Sequence, residues 1–166
     1  EIDVGIRYGS GGWTKVAAEK LTEESIFPVL APHLLEDGPA LNEPADLRNF
    51  TLIHEYGVEL WSDWFAAAGV ADAGNIKGPV LPHSNLVLAA VIAGDGVALG
   101  RSFLISVDLK NGRLVRPCAV SVTARDAYYL VWPPGTEERL KVRRFRNWLR
   151  EEVALTRQAL SEQALA

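Results

Sequence analysis

An apolar segment, Leu86–Ala93, constrains the fold of this chain more than any other feature. It follows polar residues at 83–85, which favour a helix start, and Gly94 and Gly96 can end a helix. A helix whose body is apolar on every side is expected to be buried. We therefore predict a buried helix here, followed by a short buried strand over residues 97–99.

The start of that helix is a candidate binding site. The first N–H groups of a helix have no partner within the helix, and in a buried helix they cannot reach bulk water. The side chains of Ser84 or Asn85 can satisfy one or two of them. The remaining donors and the positive end of the helix dipole favour an anion such as a carboxylate. The alternative is that Ser84 and Asn85 only cap the helix, and both interpretations remain open.

Strand patterns recur along the chain. Ile2, Val4 and Ile6 alternate with polar residues or glycine and predict a strand that ends at Tyr8. Residues 26–30 predict another strand, in which Pro28 favours a sheet edge or a crossing between lobes over a sheet centre. Further strands are predicted at 51–54, at 114–115 and at 127–132, the last of which should be central.

Helical patterns lie between these strands. They are predicted around residues 33–35, from Pro44, over 60–68 with a stop at Gly69, and over 103–109. The last helix, over about 138–160, carries an apolar stripe that should dock it on a sheet. The alternation of strands and helices predicts the α/β class.

Composition excludes several classes of protein. With 17 basic and 21 acidic residues, the chain has a net charge of −4 and lacks the basic excess of nucleic-acid binders. The segment 86–93 is too short to cross a bilayer, and no leader precedes Asp3, so we expect no membrane partner. The single cysteine, Cys118, is compatible with a reducing compartment, and we expect a cytoplasmic location.

Catalytic and cofactor motifs are missing from the sequence. The glycine-rich loop Gly9–Trp13 lacks the third glycine of a dinucleotide fingerprint and the ending of a P-loop. No nucleophile elbow is present, and His33, His54 and His83 are too far apart in sequence to form a metal motif. We therefore expect no enzyme activity, no cofactor and no metal.

Two groups of residues, both rich in arginine, have alternative interpretations. Arg7, Tyr8 and Arg101 follow apolar strands, so they could meet an acidic ligand at the carboxyl ends of those strands, or they are ordinary loop residues. A basic face on the last helix could contact phosphates, but neighbouring acidic residues favour a solvated surface. That face comprises Arg139, Arg143, Arg146 and Arg150.

Taken together and in order, several short motifs resemble the effector-binding domain of LysR-type transcriptional regulators. The resemblance spans nearly the whole chain and is strongest to the branch that includes activators of glycine-cleavage and β-lactamase genes. The motifs are Asp3–Trp13, Phe27-Pro28-Val29, Pro44-Ala45-Asp46-Leu47, Trp64-x-x-Ala67-Ala68-Gly69, Ser84–Leu99, Tyr128-Tyr129-Leu130-Val131 and Phe145-x-x-Trp148-Leu149.

The resemblance implies a two-lobed fold like that of type 2 periplasmic binding proteins, with two crossover strands and a small effector in the cleft between the lobes. The first lobe would comprise residues 1–32 and 127–166, and the second residues 33–126. Crossover strands would lie at 27–30 and 128–132. The residues implied to line the cleft are Tyr8, Gly9, His83, Ser84, Asn85, Gly100, Arg101 and Tyr128.

The resemblance also implies partners. Regulators of this type act as homodimers or homotetramers and contact DNA through an N-terminal winged helix-turn-helix, which is absent from this sequence. The chain starts at Glu1 inside a predicted strand and contains no methionine, so we expect a fragment with an incomplete first lobe. Such a fragment should bind its effector weakly or have another chain fill the gap. The alternatives are a solute-binding protein of an uptake system and a small α/β enzyme.

Overall fold

Eight strands and five α-helices follow one another along the described residues of the computed structural model, which are 2–56, 60–71 and 76–163. The strands are β1 (Gly5–Gly9), β2 (Ala17–Lys20), β3 (Ser25–Val29), β4 (Leu52–Glu55), β5 (Val80–Leu81), β6 (Val97–Arg101), β7 (Val122–Thr123) and β8 (Ala127–Trp132). The helices are α1 (His33–Asp37), α2 (Trp61–Ala67), α3 (Ser84–Ala93), α4 (Ser102–Lys110) and α5 (Leu140–Gln163), and Pro44–Asn49 form a 3-10 helix. This order confirms the predicted α/β class.

The chain divides into two compact units. Unit 1 comprises Glu1–Glu24 and Thr123–Ala166, and unit 2 comprises Ser25–Val122. The lobes implied by the sequence resemblance have different boundaries, which lie between residues 32 and 33 and between residues 126 and 127. The first difference arises because β3 pairs with β6 and therefore packs in unit 2. The functional assignment of the lobes stays a prediction.

Unit 1 is built on a three-stranded sheet with the order β1-β8-β2, in which β8 is antiparallel to both neighbours. The prediction of a central strand over 127–132 is confirmed. Helix α5 packs on this sheet through Val142, which joins Leu130 and Trp132 in a buried cluster. The first strand is shorter than predicted, because Ile2 and Val4 lie before β1. Ile6 lies within β1, but its side chain is 55% exposed.

Unit 2 contains most of a five-stranded sheet with the order β5-β4-β6-β3-β7. Strand β4 is parallel to β5 and β6, and β3 is antiparallel to β6. The predicted strand at residues 114–115 is reduced to a single bridge between Leu30 and Val115. Two apolar clusters fill this unit, one of which is centred on the aromatic side chains of α2.

The sheet-edge alternative for Pro28 is wrong, while the crossing between lobes stays a prediction. Pro28 is buried in β3, opposite Leu99 of β6, and β3 lies inside the sheet. On the side away from β6, β3 has only short pairing among the described residues. Its partners there are the two-residue strand β7 and the bridge at Leu30. A residue without an N–H group therefore interrupts a short ladder and costs little.

The prediction that α3 is buried on every side is also wrong. The helix buries Val87 and Val91, which lie four residues apart on one face, against unit 2. Its opposite face is exposed, including Leu86 at 43% and Ala89. The predicted helix and the strand that follows it are confirmed as α3 and β6, with Gly94 ending α3 at a φ of 90°.

Candidate functional site

Two charged residues end neighbouring parallel strands in unit 2. Strand β4 ends at Glu55 and β6 ends at Arg101, and the two strands pair in parallel through Leu52–Val97 and Ile53–Ala98. Because the carboxyl ends of parallel strands meet at one edge of a sheet, both side chains reach the same edge. Helix α3 begins there with Ser84.

Glu55, Ser84 and Arg101 contact one another through polar atoms, and we call these three residues the triad. One guanidinium nitrogen of Arg101, Nη1, donates to Oγ of Ser84 at 2.9 Å, and Nη2 lies 3.1 Å from Oε2 of Glu55. The Ser84 hydroxyl donates to Oε1 of Glu55 at 2.8 Å. The side chains of Arg101 and Glu55 are 11% and 24% exposed. Both carboxylate oxygens and the hydroxyl therefore have partners within the triad.

The expected capping role of Ser84 is wrong. The residue preceding the helix is His83, in an extended conformation and without a side-chain capping bond, and Ser84 lies one position inside the helix. Its hydroxyl bonds to the triad. The anion expected at this helix start is supplied by the chain itself, as the carboxylate of Glu55.

A small open pocket lies beside the triad, with a cavity volume of about 20 Å³, which is room for about one water molecule. Its apolar wall includes Trp61, whose indole N–H donates to the backbone oxygen of Ile53 at 3.2 Å. The residues around the pocket are Ile53, His54, Glu55, Leu60, Trp61, Val87, Ala98, Leu99 and Arg101. The arrangement combines an apolar surface with one cation and one anion.

The other predicted residues of unit 2 have different surroundings. His83 and Asn85 are exposed next to the triad. Gly100 is buried, and a Cβ added to it would lie 2.7 Å from Cδ1 of Ile105 and 3.0 Å from Cγ2 of Val29. We conclude that Gly100 allows α4 to approach β6 closely.

Three of the predicted residues lie in unit 1. Tyr8 of β1 is directly opposite Tyr128 of β8, with ring centroids 4.8 Å apart, and Gly9 is opposite Ala127. Both tyrosines are half-buried. The contribution of Tyr8, Gly9 and Tyr128 to effector binding stays a prediction.

Sequence reasoning missed Glu55 and Trp61. Glu55 follows the apolar strand residues 52–54 just as Arg101 follows 97–100, so the rule that selected Arg101 also applies to Glu55. Trp61 falls in the predicted helix over 60–68, and helical spacing alone does not distinguish a pocket residue from a core residue. The structure places it both in the core and on the pocket wall.

The basic face of α5 is largely exposed, in agreement with the expected solvated surface, and it also forms ion pairs with the chain's own acidic residues. Arg150 and Arg146 both contact Glu19 of β2, at 2.6 Å and 3.2 Å, and Arg146 also stacks over Trp132. The hydrogen bond from Arg150 is the largest influence that lowers the pKa of Glu19 below its ordinary value of 4.5. This face therefore ties α5 to the sheet of unit 1.

Neither a metal centre nor a membrane span is present in the part of the chain that the structure describes. No group of His, Cys, Asp and Glu side chains there could hold a metal ion. Among the same residues, no helix combines the length and the apolarity needed to cross a bilayer.

Comparison with known proteins gives a match over most of the chain. Residues 1–154 match the sequence model of a family described as the LysR substrate binding domain. The glycine cleavage system transcriptional activator of Escherichia coli (strain K12) is 34% identical over 154 residues, covering 93% of this chain and 50% of the relative. The HTH-type transcriptional activator AmpR of Rhodobacter capsulatus is 35% identical over 148 residues, covering 89% and 50%. The chain thus spans about half the length of these relatives.

A solved structure agrees with these relatives. The effector domain of the transcriptional regulator AmpR of Pseudomonas aeruginosa superposes with a TM-score of 0.77 and 31% identity. The match covers 96% of this chain and 76% of that domain. The two-unit α/β architecture is therefore shared with a known effector domain.

Proposed function

The chain belongs to the LysR substrate-binding domain family, and we propose that it is the ligand-sensing domain of a bacterial transcriptional regulator. In this proposal a small effector that carries a carboxylate binds at the triad. Binding alters the arrangement of attached DNA-binding domains, which lie outside this chain. The regulator would act in the cytoplasm as a homodimer or homotetramer.

The position of Arg101 is the observation that carries the proposal. Its guanidinium lies at the carboxyl edge of parallel strands, beside an open pocket and next to the Ser84 hydroxyl. A guanidinium offers two parallel donors that match a carboxylate, and a largely buried setting strengthens that contact. Arg101 already holds one carboxylate, that of Glu55, which supports its suitability for this chemistry.

The same contact suggests how binding is coupled to a response. An effector carboxylate on Arg101 takes the place of Glu55, so the bound and free states differ in the contacts made by the end of β4. A ligand shifts an equilibrium between two arrangements only by its difference in affinity for them. Exchange of the Glu55 contact supplies such a difference.

The solute-binding alternative has less support. The relatives described above are transcriptional activators, and their names place them in the control of glycine cleavage or as HTH-type activators. An enzyme is also disfavoured, because the relatives are regulators.

A thermal-shift screen of the purified chain tests the proposal. The panel is glycine, alanine, succinate, 2-oxoglutarate and soluble muropeptides, each measured on the wild-type chain, on Arg101→Gln and on the exposed control Arg125→Gln. A compound at 100 times its Kd stabilises the native state by about 2.7 kcal/mol. We expect at least one compound to raise the Tm of the wild type and of Arg125→Gln, but not of Arg101→Gln. Equal shifts in all three proteins, or no shift with any compound, would contradict the proposal.

A further inference from the structure

Helix α5 has a second surface, apart from the face that packs on the sheet of unit 1. Residues that follow one another at intervals of three or four positions lie on one side of a helix. Leu140, Arg144, Trp148, Glu151 and Leu155 have this spacing, and all five are exposed. We call these five residues the outer face of α5.

The largest apolar side chain of the outer face is its central one. Trp148 is 51% exposed, and Leu140 and Leu155 near the two ends of the face are 53% and 62% exposed. The Trp148 ring also contacts the ring of Phe145, with centroids 5.5 Å apart, so it is held from one side. Tryptophan is enriched at the energetic centres of protein interfaces, and a held ring loses little freedom on binding. The outer face therefore has the composition of an interface.

The two charged residues of the outer face are available to a partner. Neither Arg144 nor Glu151 has an ion pair with another residue that the structure describes. Other basic residues of α5 differ, because each of them contacts an acidic residue of the same chain. These are Lys141, Arg143, Arg146 and Arg150.

The order of residues along the outer face is self-complementary for two antiparallel copies of α5. Trp148 lies next to the midpoint, and on each side of it come one charged residue and then one leucine. An antiparallel pair thus brings Arg144 of each copy to Glu151 of the other. It also brings Leu140 of each copy to Leu155 of the other, and the two Trp148 rings together at the centre. A parallel pair would instead place equal charges opposite each other, which is unfavourable.

We propose that the outer face of α5 joins two copies of this chain, paired antiparallel about a two-fold axis next to Trp148. A two-fold contact uses the same patch on both subunits, which requires a self-complementary surface of this kind. The apolar residues supply the affinity, and the two charge pairs select the antiparallel register. This contact lies in unit 1 and does not involve the triad, so it goes beyond the proposed effector site and is independent of it.

Sedimentation velocity of the 166-residue chain over about a hundredfold range of concentration tests the contact. We expect a reversible equilibrium between monomer and dimer. Trp148→Glu should raise the dimer Kd at least about a hundredfold, because it replaces the central side chain of both copies. Trp148→Phe should retain most of the affinity. The control Tyr56→Glu changes an exposed aromatic residue of unit 2 and should leave the Kd unchanged.

Charge reversal tests the antiparallel register through exposed residues. Arg144→Glu and Glu151→Arg should each raise the dimer Kd about tenfold, because like charges then face each other. The variant with both substitutions restores opposite charges, so its Kd should return to within about threefold of the wild type. An equimolar mixture of the two single variants should form a heterodimer more tightly than either variant dimerises alone, because both of its charge pairs are opposite.

The outcomes decide the proposal in either direction. A chain that stays monomeric over the whole concentration range would overturn it. A dimer whose Kd is unchanged by Trp148→Glu would also overturn it, because the two copies would then meet through another surface. If Trp148→Glu does not fold, the charge variants decide, and a double variant that dimerises no better than the single variants would refute the antiparallel contact. The effector screen is unaffected by any of these results.

Discussion

The imidazole of His33 lies against the backbone of Gly94, where α3 ends. A Cβ added at Gly94 would lie 2.2 Å from Nε2 of His33, and the φ of Gly94 is +90°. Two independent effects thus require glycine here, one in the backbone and one in packing. The two effects can be separated, because the chain has another glycine with a positive φ but no neighbouring atom that an added Cβ would overlap.

Gly94→Ala should lower the free energy of unfolding by about 2 to 4 kcal/mol, the sum of left-handed backbone strain and steric overlap. Gly112→Ala is the matched control, because Gly112 has a φ of +67° and nothing within 4 Å of an added Cβ. Gly112→Ala should lower the free energy of unfolding by only about 1 kcal/mol. Urea unfolding measures both, and equal losses in the two variants would show that His33 does not restrict this position.

Gly100→Ala should destabilise unit 2 without removing a ligand contact. The added Cβ overlaps Cδ1 of Ile105, which predicts a loss of about 1 to 3 kcal/mol. The second substitution Ile105→Val removes Cδ1 and should recover part of that loss. Urea unfolding of the single and double variants measures this. A double variant whose loss of unfolding free energy equals or exceeds the sum of the two single losses would contradict the packing role.

Ser84→Ala should affect binding more than stability. Glu55 and Arg101 still contact each other without the hydroxyl, so the free energy of unfolding should fall by about 1 kcal/mol or less. Ligand affinity should fall about tenfold, because the hydroxyl positions both charged groups. Calorimetry with a compound from the screen measures this, and Ser84→Thr should keep most of the affinity. Unchanged affinity in Ser84→Ala would remove Ser84 from the site.

The contact of Glu19 with Arg150 and Arg146 should make unit 1 sensitive to acid. The pKa of Glu19 is lowered in the folded chain, so its stabilisation is present above the ordinary value of 4.5 and is lost as the pH falls through the lower, folded value. At pH 7, Glu19→Gln should cost about 0.5 to 1 kcal/mol, a modest amount because the pair is partly solvated.

The difference in unfolding free energy between the wild type and Glu19→Gln should decrease as the pH falls below 4.5. Urea unfolding across this range measures it. The control Glu23→Gln, whose partner is Lys20 in an exposed pair, should show little difference at any pH. A constant gap between the wild type and Glu19→Gln would contradict the assigned role of the carboxylate.

Local patterns in the sequence predict elements of both units. The glycine at position 94 and the apolar segment before it define α3, because both act through neighbouring residues. The central position of β8 also follows from its strongly strand-forming residues. Hydropathy alone does not distinguish the buried face of α3, with Val87 and Val91, from its exposed face, since both are apolar.

The triad could not be predicted from the sequence, because its residues come from separate segments of the chain. Glu55 and Ser84 are 29 residues apart, and they meet because β4 pairs with β5, which leads into α3. Arg101 joins them because β6 is the other neighbour of β4. Strand order depends on long-range pairing, which periodicity does not encode. Ser84 consequently resembled a helix cap, although its hydroxyl bonds to Glu55 and Arg101.

The order β1-β8-β2 also has a consequence for biosynthesis. In the described part of the chain, β1 and β2 pair with β8 and not with each other, yet β8 is translated about a hundred residues after β2. Unit 2 is contiguous, so its apolar clusters can assemble on the ribosome as soon as Ser25–Val122 has emerged. Strands β1 and β2 therefore gain their pairing partner only after Ala127–Trp132 has left the exit tunnel.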